Sequence, residues 1–209
     1  GYKLVPETLK RVGLTNVNLV TEQSYPDGNF TTCPFPNPEK QEALALGLVY
    51  AKNNDSDLLL ATDPDCDRVG VAVKHNGEYK LITGNEVGIL LTDYLFSSYL
   101  KNGNEPKNPI VVKTIVTSDL VKKLATKYGF EVVEVLTGFK YIGEVISNLE
   151  KQNQKQRFVL GFEESYGYLS GTHVRDKDGV NGALIITEMA AFYKNQGLTL
   201  VDKLEQIYK

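Results

Sequence analysis

Hydrophobic and polar residues alternate along the chain with two different periods. Segments whose apolar residues recur about every three to four positions predict helices, and short apolar runs bounded by Gly, Pro, Asn or Asp predict strands. The predicted helices span 6–12, 37–53, 84–100, 118–128, 141–149, 178–193 and 199–208. The predicted strands span 17–20, 58–61, 68–73, 79–82, 109–114, 130–135 and 158–161. The strand at 58–61 is apolar throughout, which is typical of a buried strand.

Polar residues mark where these elements begin and end. Asn37 is the predicted N-cap of the second helix, and Thr117 or Ser118 is that of the fourth. His75-Asn76-Gly77 is typical of a β-hairpin turn. Residues 22–38 are rich in proline and predict an irregular arm, because proline cannot pair within a central strand.

The order of these elements predicts an α/β protein. Strands that alternate with helices form mostly parallel sheets covered by those helices. We place a domain boundary near residue 78. The prediction is therefore two consecutive α/β domains, 1–78 and 79–209, with mixed, mostly parallel sheets covered by helices.

Composition narrows the class of protein. A chain of 209 residues with 42% hydrophobic and 23% charged residues is long enough and apolar enough to form a globular core. The net charge of −3, with scattered Lys and Arg, gives no reason to expect a nucleic-acid or membrane partner. No apolar run approaches the roughly 20 residues of a membrane span, and no signal peptide is visible, so we expect a cytoplasmic protein. Cys33 and Cys66 form neither a disulfide framework nor a zinc motif.

The sequence ATDPDCDR, residues 61–68, places three aspartates on alternate positions directly after an apolar strand. Open α/β sheets bind their ligands beyond the carboxyl ends of strands. Three carboxylates that converge repel one another unless a cation lies between them, and a donor set of oxygen atoms alone favours a hard ion such as Mg²⁺. We therefore predict that Asp63, Asp65 and Asp67 bind Mg²⁺; the simpler alternative is a solvated acidic turn.

Two other acidic motifs were compared with this loop. A calcium-binding EF-hand that begins at Asp63 requires Gly at its sixth position and Glu at its twelfth, where the chain has Arg68 and Lys74. A phosphatase of the haloacid dehalogenase type has a D-x-D-x-[TV] motif whose first Asp is the nucleophile. Asp63 and Asp65 match that motif, but Asp67 replaces the Thr or Val. The phosphatase stays open as the alternative.

Two further connections carry candidate chemistry. Residues 160–179, LGFEESYGYLSGTHVRDKDG, follow another apolar strand. Glu163 and Ser165 could hydrogen-bond sugar hydroxyls, and Lys177 could carry a proton or meet a phosphate; an exposed salt-bridged turn at 175–178 is the alternative. In LTGFKYIG, residues 136–143, Thr137 and Gly138 could cap a helix or contact a ligand.

Together, these three loops resemble those of the α-D-phosphohexomutases, the phosphoglucomutase and phosphomannomutase enzymes, and the resemblance covers essentially the whole chain. Residues 63–68 resemble the D-x-D-x-D-R magnesium loop, and residues 163–165 resemble the sugar-binding loop G-E-x-S-G. Phe162 and Tyr166 depart from the usual form of that loop, a variation associated with the phosphoglucomutase and phosphopentomutase-like branch. The loops at 137–140 and 175–179 and the arm are similar too.

The resemblance implies a four-domain enzyme of carbohydrate metabolism that moves a phosphoryl group between positions of one sugar. A phosphoserine held near Mg²⁺ donates its phosphoryl group, and the bisphosphorylated sugar turns round and returns the other one. Arg68 would supply a donor for phosphate oxygens, and Lys177 is a candidate for acid/base chemistry. The implied substrate-binding residues are Thr137, Gly138, Glu163, Ser165 and Lys177.

Two parts of the family pattern have no match in the chain. These are the T-x-S-H-N-P loop with the active serine and the carboxy-terminal loop that binds phosphate. We therefore expect the chain to correspond to most of the second domain and to the third, to be inactive alone, and to work with the missing domains of the same polypeptide on a glucose, mannose or pentose phosphate. A truncated second domain would leave a sheet edge open to pairing between chains.

Three functional hypotheses remain at this point. The first is the central part of a magnesium-dependent phosphosugar mutase, and the second is a complete Mg²⁺-dependent phosphatase with Asp63 as nucleophile. The third is a non-catalytic sugar-binding or scaffolding module that keeps the same loops.

Overall fold

Seven helices and seven strands make up the structure, a computed structural model that describes residues 1–209. The helices are α1 Leu4–Arg11, α2 Gln41–Asn53, α3 Gly84–Asn102, α4 Leu120–Tyr128, α5 Phe139–Lys151, α6 Gly179–Lys194 and α7 Leu200–Tyr208. The strands are β1 Leu58–Thr62, β2 Val69–His75, β3 Glu78–Ile82, β4 Ile110–Thr114, β5 Glu131–Val135, β6 Phe158–Glu163 and β7 Gly167–Ser170. The predicted α/β class is confirmed. None of the helices combines the length and the apolar character that spanning a membrane requires.

The first sheet has the order β1-β2-β3 and is antiparallel throughout. Its second pairing is the predicted hairpin: Asn76 and Gly77 both have positive φ, 51° and 83°, as a two-residue type I′ turn requires. The domain boundary that we place near residue 78 falls at the first residue of β3 and stays a prediction.

The second sheet has the order β5-β4-β6-β7 and contains the parallel pairing that the β-then-α order predicts. β4 is parallel to both β5 and β6, whereas β7 returns antiparallel to β6. We did not predict β7, because its turn lacks the Asn-Gly type of signal. Tyr166 takes the left-handed conformation there, with φ 69°.

The core lies on both faces of the second sheet and continues under the first. Val111 of β4 belongs to a cluster of 26 buried residues that includes Val71 of β2, Leu90 of α3 and Ile186 of α6. Ile110 and Val112 point to the other face and belong to a cluster of 8 buried residues with Ile142 of α5. One continuous core therefore joins the two sheets.

Three local predictions were wrong. Residues 17–20 are not a strand, because no neighbouring strand pairs with them. The strand at 58–61 is only half-buried, since it forms the edge of its sheet. Asn37 does not cap α2, which begins later, at Gln41; its side-chain oxygen accepts the N–H of Glu39 instead, at 3.0 Å. At α4 the predicted cap is found at Ser118, whose hydroxyl oxygen accepts the N–H of Leu120 at 3.3 Å.

Candidate functional site

The three aspartates lie in the connection between β1 and β2, and their carboxylates converge. One carboxylate oxygen of each lies within 4.8 Å of the others. Asp63 directly follows β1, and its carbonyl accepts the N–H of Cys66 at 3.0 Å, which closes the turn. Cys66 has a positive φ of 61° there. This is the geometry that the alternate spacing predicts; metal binding itself stays a prediction.

Asp63 is buried, with 3% of its surface exposed, and its charge is balanced by Arg68. The Nε of Arg68 donates to Oδ2 at 2.7 Å, and the backbone N–H groups of Asp67 and Arg68 donate to Oδ1 at 3.1 and 3.0 Å. Burial raises the pKa of Asp63, but the hydrogen bonds from Arg68 outweigh it and hold the pKa below 3.8. Asp63 is therefore ionised at neutral pH.

The irregular arm fixes the rest of the Arg68 guanidinium group. Nη1 lies 3.2 Å from a carboxylate oxygen of Glu39 and 3.5 Å from the side-chain oxygen of Asn37. These contacts use Nε and Nη1, which leaves Nη2 as the donor for a ligand. Glu39 and Asn37 are not among the predicted site residues. The feature of the sequence that points to them is the similarity of the arm to the family pattern.

Lys177 lies in the connection between β7 and α6 and reaches the acidic loop from there. Its ammonium group lies 2.8 Å from Oδ2 of Asp67 and 3.5 Å from Oδ1 of Asp176. Burial lowers the pKa of Lys177, but the hydrogen bond and the charge of Asp67 outweigh it and raise the pKa above 10.5. Lys177 is therefore a cation in this arrangement. Burial and the neighbouring Asp63 together raise the pKa of Asp67, although Lys177 lowers it in part.

Glu163 is the last residue of β6 and is buried, with 6% of its surface exposed. Burial raises the pKa of Glu163 above 4.5, although Ser165 and Lys177 lower it in part. A buried carboxylate with few partners of its own is suited to accept hydrogen bonds from a ligand that displaces water.

The connections between β1 and β2, between β6 and β7 and between β7 and α6 form one cleft of about 330 Å³ without a single hydrophobic side chain. It is lined by Asp63, Asp65, Asp67, Arg68, Glu163, Ser165 and Lys177. The cleft brings together all the predicted metal ligands and most of the predicted substrate-binding residues. Because four of these side chains are acidic and two are basic, the cleft suits a cation together with an anionic, hydroxyl-rich ligand.

Backbone hydrogen bonds join the segment around the acidic loop to the turn between β6 and β7 and to the start of α6. The N–H of Val69 donates to the carbonyl of Tyr166, and the N–H of Gly179 donates to the carbonyl of Cys66, both at 3.0 Å. A Cβ on residue 179 would lie 2.5 Å from the Cys66 carbonyl oxygen, so this approach requires glycine. The start of α6 is thereby fixed against the acidic loop.

The model described as phosphoglucomutase/phosphomannomutase, alpha/beta/alpha domain II, matches residues 1–77, and the model of domain III matches residues 83–209. The chain belongs to the phosphoglucomutase/phosphomannomutase family. The resemblance noted from the three loops is confirmed.

Curated relatives match along the whole chain. A phosphoglucomutase of Staphylococcus haemolyticus is 38% identical over 210 residues, which is 100% of this chain and 37% of that protein. A phosphomannomutase of Mycoplasmoides pirum is 36% identical over 204 residues, which is 98% of this chain and 36% of that protein. The chain therefore spans well under half the length of these relatives.

Solved structures of the phosphoglucomutase/phosphomannomutase family share the fold. A family protein from Burkholderia thailandensis has a TM-score of 0.67 at 18% identity and covers 90% of this chain and 37% of its own. Parafusin, a phosphoglucomutase from Paramecium, has a TM-score of 0.56 at 22% identity and covers 82% of this chain and 29% of its own.

Nothing in these matches favours the alternative of a haloacid dehalogenase phosphatase. The sequence departs from that motif as well, because Asp67 replaces its Thr or Val.

Thr137 and Gly138 lie outside the cleft. They connect β5 to α5, and Gly138 precedes the first residue of that helix with φ 120°. Neither residue is among those that line the cleft. Their role in substrate binding stays a prediction.

Proposed function

We propose that this chain is the metal- and sugar-binding part of a phosphoglucomutase/phosphomannomutase. Such an enzyme moves a phosphoryl group between positions of a hexose or pentose phosphate, through a phosphoserine and a bisphosphorylated sugar. The observation that supports this proposal is one polar cleft in which an aspartate triad faces a buried glutamate and a serine from the turn between β6 and β7 and a lysine from the connection between β7 and α6.

The donor set of the acidic loop fits Mg²⁺. Asp63, Asp65 and Asp67 offer only carboxylate oxygens, which hard divalent cations prefer. Asp63 also accepts hydrogen bonds from Arg68, but each carboxylate oxygen has a second lone pair. Mg²⁺ bound there would neutralise negative charge on a phosphoryl group.

The remaining cleft residues bind and orient the sugar phosphate in this proposal. Arg68, through Nη2, and the cationic Lys177 donate to phosphate oxygens, since phosphoryl transfer depends mostly on positioning and charge neutralisation. Glu163 accepts hydrogen bonds from ring hydroxyls, and Ser165 both donates and accepts. Lys177 is also our candidate for proton transfer. Thr137 and Gly138 contact the sugar phosphate from the start of α5.

Turnover would need more than these 209 residues. The active-serine loop and the carboxy-terminal phosphate-binding loop have no counterpart in the sequence, and the curated relatives are much longer. We therefore propose that the partners of this chain are its phosphosugar and further domains of the same polypeptide. We expect the isolated chain to bind its ligands without mutase activity.

Calorimetric titration tests the proposal. Mg²⁺ should bind the wild-type chain weakly, because a phosphoserine would supply a further ligand, and Asp65→Asn should weaken it about tenfold or more. Asp55→Asn, which changes an exposed aspartate in the turn between α2 and β1, is the matched control and should change nothing. With Mg²⁺ present, glucose 1-phosphate should bind the wild type and lose affinity in Glu163→Gln. Magnesium binding that survives Asp65→Asn would contradict the metal assignment, and a phosphatase activity of the chain would favour the alternative.

A further inference from the structure

Glu163 and Glu164 are adjacent in the sugar-binding loop, but their side chains have different surroundings. Glu163 lines the cleft, whereas the carboxylate of Glu164 lies against the end of β4. There its Oε2 is 2.8 Å from the hydroxyl of Thr114, the last residue of that strand. None of the functional assignments above uses Glu164 or Thr114.

The hydroxyls of Thr117 and Thr114 and the carboxylate of Glu164 form a series of hydrogen bonds, and only one donor-to-acceptor direction is possible along it. Thr114 is fully buried and Thr117 is 4% exposed, and their hydroxyl oxygens are 2.6 Å apart. An ionised carboxylate only accepts hydrogen bonds, and a hydroxyl has a single hydrogen to donate. Thr114 therefore donates to Glu164 and accepts from Thr117. Consecutive hydrogen bonds of this kind strengthen one another in a buried site.

The hydrogen-bonded series of Thr117, Thr114 and Glu164 is anchored to rigid parts of the second sheet. Thr114 lies on β4, which pairs with strands on both sides. The carbonyl of Thr117 accepts a hydrogen bond from the buried Lys113 at 3.0 Å. On the opposite side, the backbone of Glu164 packs so closely on Gly84 at the start of α3 that no Cβ fits between them.

We propose that Thr114 and Glu164 are positioning residues for the sugar loop. Their hydrogen bond ties the turn between β6 and β7 to the central strand, and this holds Glu163 and Ser165 in the cleft. The turn has only three residues, Glu164 to Tyr166, so fixing its first side chain restricts its neighbours on both sides. This inference rests on the proposed function for its consequence in ligand binding, but not for the rigidity of the turn.

The test compares Thr114→Val, which removes the hydroxyl at similar volume, with Thr114→Ser, which restores it. NMR relaxation dispersion on the Ser165 and Tyr166 amides, without ligand, should show microsecond-to-millisecond motion in Thr114→Val and none in the wild type or Thr114→Ser. Affinity for glucose 1-phosphate with Mg²⁺ should fall about tenfold in Thr114→Val and recover in Thr114→Ser. Glu164→Ala removes the other partner of the hydrogen bond, a side chain that is only partly buried, and should loosen the turn in the same way. This variant replaces Thr114→Val in the test if Thr114→Val does not fold.

Thr92→Val is the matched control. Thr92 is also fully buried and donates its hydroxyl to the carbonyl of Gly88, so its loss reports general destabilisation without motion in the turn. Amides as rigid in Thr114→Val and Glu164→Ala as in the wild type, with unchanged affinity, would overturn the proposal. A mobile turn in these variants, together with a wild type that binds no sugar phosphate, would support the positioning role and count against the proposed function.

Discussion

Two residues with unfavourable backbone conformations form the contact between the loops of the cleft. Cys66 and Tyr166 both have positive φ, 61° and 69°, which costs a residue with a side chain about 1 kcal/mol or more. The carbonyl of Cys66 accepts the N–H of Gly179, and that of Tyr166 accepts the N–H of Val69. These two residues thus direct their carbonyls to hydrogen-bond donors on the opposing segment, and the two bonds fix the acidic loop relative to the sugar-binding loop and the start of α6.

Lys177→Met should affect the two ligands of the cleft in opposite directions. The ammonium group lies 2.8 Å from Asp67, so it competes with a metal ion for that carboxylate. Removing it should strengthen Mg²⁺ binding about tenfold or more, because a unit charge and a divalent ion at about 4 Å repel by about 2 kcal/mol even in water. The same variant should weaken binding of glucose 1-phosphate. Calorimetry with each ligand measures both effects.

Lys101→Met is the control, because Lys101 lies over the ring of Phe192 at the end of α3, outside the cleft. A loss of affinity for both ligands in Lys177→Met would contradict the competition between Lys177 and the metal.

Sequence and structure agree best at this scale where residues are close along the chain. The alternate spacing of Asp63, Asp65 and Asp67 was sufficient to predict their convergence. The bond between Thr114 and Glu164 was not predictable, because it depends on β4 and β6 being neighbours in the sheet. The fixing of Arg68 by Glu39 likewise joins residues that are distant along the chain.

At the scale of elements, a buried aspartate joins four helices. Asp93 of α3 is fully buried and accepts hydrogen bonds from Tyr128 of α4, at 2.6 Å, and Tyr193 of α6, at 3.1 Å. It also pairs with Lys127 of α4, at 3.2 Å, and Lys203 of α7, at 2.9 Å. Burial raises the pKa of Asp93, but the bond from Tyr128 and the pair with Lys203 outweigh it and hold the pKa below 3.8.

Asp93→Asn should destabilise the chain in a pH-dependent way. At pH 7 the loss should be about 3 kcal/mol in the free energy of unfolding, because two lysines lose a buried partner. A group whose pKa is lowered on folding stabilises the fold above its usual pKa and stops doing so as the pH falls through the lowered value. The difference between wild type and variant should therefore shrink below pH 3.8.

Urea unfolding at several pH values measures this difference. Asp57→Asn, whose partner Lys194 is as exposed as Asp57 itself, is the control and should have little effect. A loss in Asp93→Asn that stays constant down to pH 2 would show that packing, rather than charge, is responsible.

Helices were easier to predict than strands for a physical reason. An amphipathic period specifies α1, α4 and α5 without knowledge of the neighbours. A strand forms only where a neighbouring strand pairs with it. Residues 17–20 have strand-like composition but no such partner, whereas β7 pairs with β6. The first sheet is antiparallel because short connections join its strands, which the alternation of elements did not indicate.

At the scale of the whole molecule, β1 leaves one edge of the first sheet open. The N–H of Lys74 donates to the carbonyl of Asp57, which sets the alternation of the ladder. Leu59 and Ala61 therefore bond to β2, whereas Leu58, Leu60 and Thr62 direct their N–H and C=O groups to the open edge. Such an edge, without charge or proline, is a template for pairing with another chain.

We expect self-association that depends on concentration, and we expect Leu60→Pro to abolish it. Proline removes the outward N–H of residue 60 and leaves the bonds between β1 and β2 in place. Leu60→Ala removes similar apolar volume but keeps the N–H, so it should still associate. Sedimentation velocity over a range of concentrations separates the two. A wild-type chain that stays monomeric throughout, or equal association by both variants, would contradict pairing at this edge.

The class of fold and the contents of the cleft were predictable from the sequence, but the way in which the two halves meet was not. The acidic loop and the sugar-binding loop are separated in the sequence by strands β2 to β6 and helices α3 to α5. Their contact depends on glycine at 179 and on the carbonyls of Cys66 and Tyr166. No local pattern specifies such a meeting, because it results from the packing of one core across both sheets.

The central claim is that the three converging carboxylates form a divalent metal site that faces the sugar loop. Crystals of the chain soaked in Mn²⁺, which replaces Mg²⁺ at oxygen sites and scatters anomalously, test it most directly. We predict an anomalous peak in contact with Asp63, Asp65 and Asp67, and its loss in Asp65→Asn. Density for Mn²⁺ only elsewhere, or aspartates that turn outward with Lys177 alone between them, would contradict the claim.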